Sequence, residues 1–157
     1  GIAYSNSWTG KFSVRGRGKT LDQYPRGFTQ ATSALGGRGT LFPVSVLSDV
    51  GFPNEEKLPH YLGDYEFTLR CSAEGYARVV SYDAVVMSKN LTDFDRNVRH
   101  SARKLFFQKK SVFNLRSLYW VARASTNNPL KAHIYYLFHV ARVVGIYLKA
   151  LFKPRLD

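Results

Sequence analysis

A chain of 157 residues with 45% hydrophobic and 22% charged side chains can bury a real core as one domain, which excludes a disordered chain. Its single cysteine, Cys71, excludes an internal disulfide framework and a Cys-based zinc site, and it fits a reducing, cytosolic compartment. The formal charge of +12 sits at one end: residues 1 to 95 balance ten Lys/Arg against ten Asp/Glu, whereas residues 96 to 157 hold thirteen Lys/Arg and one Asp.

This asymmetry predicts a neutral, chemistry-bearing body and a cationic tail that meets a polyanionic surface. The opening Gly1-Ile2-Ala3-Tyr4 has neither an initiator Met nor a charged-then-apolar leader, so the start is expected upstream. Residues 1 to 30, rich in Gly, Ser, Thr and Arg with scattered aromatics, are predicted to form irregular strands and a long loop. After Gly36-Gly37-Arg38-Gly39-Thr40, Pro43 suits the first position of a short helix running to about Val50 and stopped by Gly51. Phe52 to Gly63, with Pro53 and Pro59, reads as a loop. A second helix is predicted from about Asp64 to Glu74, with Gly75 in the stop position.

Valines at 79, 80, 85 and 86 predict strands over Tyr76 to Tyr82 and Ala84 to Met87. From Phe94 onward the pattern turns helical and basic. Ser111 is a candidate cap for a helix from Val112 to Ala124, and Asn128 with Pro129 opens one reaching about Phe152. In that helix Lys131, Tyr135, Arg142, Lys149 and Lys153 fall within about 40° of one another, leaving Ile134, Leu137, Phe138, Ala141, Val144 and Leu148 on other faces. No run of 18 or more uncharged apolar residues supports a membrane-spanning helix.

Among candidate functional residues, Gly36 to Thr40 is glycine-dense enough for close backbone approach to a ligand, and Arg38 could pair with a phosphate or sugar hydroxyl. It lacks the Gly-Lys-Ser/Thr ending of a P-loop, and a tight turn is the plain alternative. Asp64 after Gly63 reads most simply as a helix-capping carboxylate. His60, His100, His133 and His139 show no metal-ligand spacing, so no metal ligands are assigned within the chain. The Asn90-Leu91-Thr92 sequon has no standing without a secretory signal.

The ordered series Gly37-Arg38-Gly39-Thr40-Leu41-Phe42-Pro43, Val50-Gly51-Phe52, Pro59-His60-Tyr61-Leu62-Gly63-Asp64-Tyr65-Glu66-Phe67-Thr68-Leu69-Arg70 and Glu74-Gly75-Tyr76 resembles the second half of bacterial family 2 glycosyltransferases. The resemblance implies an α/β class: the C-terminal, acceptor-side half of a GT-A fold over residues 1 to 93, followed by a basic amphipathic helical extension over 94 to 157. It further implies an inverting sugar transfer with Asp64 as catalytic base, and with Gly37, Arg38, Gly39, Thr40 and His60 binding substrate. Implied partners are a nucleotide-sugar donor, a glycan or lipid-linked acceptor and, through the tail, an anionic membrane surface at the inner face of the cytoplasmic membrane. A divalent Mg or Mn ion is implied for the whole enzyme, its ligands largely in the nucleotide-binding half that these residues do not contain. The competing reading is a non-catalytic basic module whose aromatic-rich tail binds nucleic acid or an anionic membrane surface.

Overall fold

The computed structural model describes residues 2–15, 20–87 and 102–152, which form a mixed α/β arrangement with two small antiparallel sheets. The proposed boundary at 93/94, the Asn90 to Thr92 sequon, His100 and Lys153 lie outside the described residues. Strand β1 (Ile2–Ser5) pairs with β2 (Phe12–Arg15), Tyr4 opposite Ser13. The turn between them is held by Asn6, whose Oδ1 accepts the backbone N–H groups of Trp8 and Thr9, both at 2.9 Å, and it ends at Gly10 with φ +63°. After a 3-10 turn at Leu21–Gln23, β3 (Thr29–Ala31) pairs with β4 (Val79–Ser81). The two sheets are tied where Ser33 N–H and the Thr32 hydroxyl both donate to the carbonyl of Ala3, each at 2.8 Å.

The strand expected over Tyr76 to Tyr82 contracts to Val79–Ser81 because its partner β3 is only three residues long. Beyond it, Asp83 turns aside and accepts the Gly27 N–H at 2.7 Å. The strand expected at Ala84 to Met87 is not formed: this segment is irregular and exposed, Met87 at 90%. Valines favour a pleated surface only where a neighbouring strand supplies ladder bonds, and none pairs with them here among the described residues.

Helix α1 (Ser45–Val50) ends at Gly51, φ +80°, as the sequence predicts, although Pro43 sits in the preceding turn and accepts from Val46 N–H. Helix α2 (Gly63–Ala73) closes on Gly75, φ +89°, with Tyr76 N–H reaching back to the Cys71 carbonyl at 2.9 Å. Val46, Phe67 and Cys71 form the core between these helices, flanked by Leu47, Val50 and Tyr76. Burying each large apolar side chain contributes roughly 1.5–3 kcal/mol. Arg70 staples the assembly: it donates to Glu66 at 2.8 Å and to the carbonyls of Val50 and Phe52, pinning the chain that leaves α1.

Helices α3 (Ala102–Phe107), α4 (Leu115–Ala124) and α5 (Pro129–Leu151) follow. The cap of α4 is Asn114, which accepts from Ser117 N–H at 3.0 Å, rather than the expected Ser111. Ser111 instead bonds the Leu105 carbonyl and Phe113 N–H, shaping the connection from α3. Asn128 caps α5 as expected, with Pro129 in its first turn. Helix α4 packs between α2 and α5, and α5 reaches the β1–β2 turn, where the Tyr135 hydroxyl donates to the Ser7 carbonyl at 2.6 Å. A Cβ on Gly10 would stand 2.5 Å from the Tyr135 ring, so only glycine admits this contact.

Candidate active site

The first helical turn of α2 begins from a strained backbone: Leu62, its N-cap, has φ +69°, a left-handed conformation uncommon for a branched side chain. It offers no side-chain cap, so the orphan N–H groups of the turn need other acceptors. Asp64 supplies one, its Oδ1 accepting Tyr65 N–H at 2.9 Å. Its Oδ2 turns outward and accepts the Gly37 N–H at 2.8 Å, across 27 residues of sequence. The cap position is thus Leu62 and not Asp64, which is the second residue of the helix: one of its oxygens serves the first turn and the other fastens the glycine loop to it.

The loop is closed on itself by the Thr40 hydroxyl, which donates to the Gly36 carbonyl at 2.5 Å. Gly39, φ +75°, lies so close to Val86 that a Cβ would come within 2.4 Å of that side chain, which explains the glycine in both conformation and space. Thr68 adds a second tie, accepting Leu35 N–H at 3.1 Å while donating to the Asp64 carbonyl. Tyr65 packs its ring 5.2 Å from Phe12, and burial, then the adjacent Asp64 charge, hold its hydroxyl above the usual tyrosine range.

These elements border a cleft of about 1020 Å³ whose lining includes Gly37, Arg38, Gly39, Thr40, Asp64 and Tyr65. Five of the six residues expected at the site thus meet in one place. His60 does not: it is exposed and absent from the cleft lining, although the next residue, Tyr61, is part of that lining. Three polar or aromatic residues of the cleft, Tyr65, Phe113 and Arg142, are among those to which the sequence assigned no site role. Tyr65 stood in the motif without a role, and Phe113 and Arg142 come from the helical extension. A signal for Arg142 existed: in the basic stripe of α5 it neighbours Tyr135, which is buried, so that stripe lies at the edge of the packed face.

Each Asp64 oxygen accepts one N–H, and a carboxylate has about four acceptor sites, so lone pairs remain to take a proton from a bound hydroxyl. Asp64 is the only carboxylate lining the cleft among the described residues, and no group of three His, Cys, Asp or Glu there could hold a metal ion. These residues do not by themselves compose a site for Mg or Mn.

No protein-family model matches the chain, and neither the curated proteins nor the solved structures contain a match.

Proposed function

We propose that the chain is the acceptor-side part of an inverting glycosyltransferase, with Asp64 as the general base. The observation that carries this reading is the bond between Asp64 Oδ2 and Gly37 N–H, which fixes a carboxylate with unused lone pairs on the wall of a large cleft. An acceptor hydroxyl in the cleft gives its proton to Asp64 as its oxygen attacks the anomeric carbon of the donor. The new glycosidic C–O bond forms on the face opposite the departing phosphate oxygen. That oxygen leaves with the bonding electron pair, releasing a nucleoside diphosphate. Glycine at 37 and 39 keeps the loop free of side chains, so backbone can approach the sugar closely. The GT-A architecture, with residues 1 to 93 as its acceptor-side half, belongs to this proposal, as do the divalent ion and the donor nucleotide, which are assigned to a donor-side half that these residues do not contain.

The surface of α5 supports a place for the reaction at a membrane. Ile134, Leu137, Phe138, Val144 and Leu148 all point away from the packed face and are exposed, with Lys131, Arg142 and Lys149 along one border. An exposed apolar stripe edged by cations suits the interface of an anionic bilayer, with α5 lying in its plane. No described helix is long and apolar enough to cross one. The acceptor is then a glycan or a lipid-linked glycan, and the transferase acts in cell-envelope polysaccharide synthesis at the inner face of the cytoplasmic membrane.

The test is nucleoside diphosphate release from a panel of nucleotide sugars, in the polypeptide that includes the donor-side half. Asp64→Asn is expected to lower turnover by about 10²- to 10⁴-fold, the usual yield of a positioned base, with donor binding unchanged. Turnover within about twofold of wild type would remove Asp64 from the chemistry.

A further inference from the structure

The cleft draws its walls from both ends of the chain. One wall is the glycine loop with Asp64; the other includes Val112, Phe113, Arg142 and Ile146 of the helical extension. Arg142 is exposed, and no carboxylate of the described residues stands within ion-pair distance of it. Its neighbour one turn back, His139, is buried and has its pKa lowered by burial and then by the Arg142 charge, so it adds no competing cation near neutral pH. The other charged side chains lining the cleft are Arg38 and Asp64, which leaves an excess of positive charge in a partly enclosed space.

We infer that Arg142 is the phosphate-reading residue of the cleft: its guanidinium takes the diphosphate of a substrate whose sugar or hydroxyl lies toward Asp64. The chemistry is that of guanidinium and phosphate, two planar-fork N–H donors on two phosphate oxygens, which a carboxylate-free Arg in a cationic cleft is free to make. This rests on the transferase reading for the identity of the reacting group, but not for the binding of a diphosphate. Two substrates could bring one: the nucleotide of the donor, or the lipid carrier of the acceptor. The exposed apolar stripe of α5 runs beside Arg142, so a lipid-borne diphosphate would enter from that side. The helical extension is thereby part of the site and not only an anchor.

Titration calorimetry on the full chain separates the possibilities, with inorganic pyrophosphate, uridine diphosphate and farnesyl diphosphate as probes. Pyrophosphate binding is expected to weaken about tenfold in Arg142→Ala. Arg142→Lys should recover part of it as a point charge without the fork. Arg103→Ala, an equal charge loss on exposed α3, should leave it unchanged. Tighter Arg142-dependent binding of farnesyl diphosphate than of uridine diphosphate assigns the lipid carrier, and the reverse order assigns the donor. Arg142→Ala binding pyrophosphate as wild type does, an equal loss in Arg103→Ala, or no binding of any probe by the wild-type chain overturns the inference. Arg142-dependent binding together with full turnover in Asp64→Asn would keep this inference and discard the proposed base.

Discussion

Gly37 and Gly39 stand two residues apart in one loop, yet their side-chain hydrogens answer to different constraints. At Gly37 an added Cβ would meet Asp64 Cβ at 3.5 Å, an ordinary contact, and the N–H that Asp64 accepts would remain. At Gly39 the added carbon would collide with Val86 and take a left-handed backbone that L side chains avoid. Gly37→Ala is therefore expected to change stability by less than about 0.5 kcal/mol, and Gly39→Ala to cost about 1–3 kcal/mol. Chemical denaturation of the two variants checks this, and equal losses would contradict the loop geometry. The sequence marks both glycines as a loop without ranking them, since the ranking depends on Val86, 47 positions away from Gly39 along the chain. The Asp64 to Gly37 bond is illegible for the same reason: a helix-start carboxylate signals a cap, and only folding decides where its second oxygen points.

At the level of elements, α5 meets the β1–β2 turn through Tyr135 and His139. His139 is buried, its Nε2 has no hydrogen-bond partner among the described residues, and its pKa is lowered by burial and Arg142 against an opposing backbone hydrogen bond at Gly10. A histidine held neutral in the fold binds its proton more readily when unfolded. Its contribution is thus present above the ordinary value of 6.5 and is lost as pH falls from there toward the lowered folded value. The melting temperature is expected to be higher at pH 7.5 than at pH 5.5, and His139→Gln should narrow that difference. An unchanged difference would place the pH dependence elsewhere. Helices of this chain were legible where their ends carry strong chemistry: Gly51, Gly75 and Asn128-Pro129 all mark the ends the sequence indicates. Legibility failed at the start of α4, where Asn114 and not the expected Ser111 is the cap, and where valines at 85 and 86 promised a strand that no partner completes among the described residues.

For the molecule as a whole, the charge count already set a neutral part apart from a cationic one, but not the orientation of α5. Period alone places its apolar side chains on a common side; packing by Ala132, Tyr135, His139 and Val143 decides that the broader apolar side faces outward. Leu137 and Phe138 are 64% and 51% exposed, so replacing both with Glu should leave the fold intact while opposing entry into an anionic interface. Co-sedimentation with phosphatidylglycerol vesicles is expected to fall at least tenfold in that variant, a loss of about 1.4 kcal/mol or more. If the wild-type chain instead shifts nucleic acid at the same salt and ignores vesicles, the basic extension serves a different polyanion.

The hydrogen bond from Tyr135 to Ser7 spans 128 positions, and that separation governs when the site can exist. Helices α1 and α2 can pack from neighbouring sequence early in synthesis, whereas the β1–β2 turn waits for a helix that follows every other described element. Loop closure over such a distance is entropically slow to achieve and is rewarded only once α5 has formed. The wall bearing Arg142 belongs to the element furthest along the chain, so the shelf made by the glycine loop and Asp64 becomes a cleft only once α5 has docked.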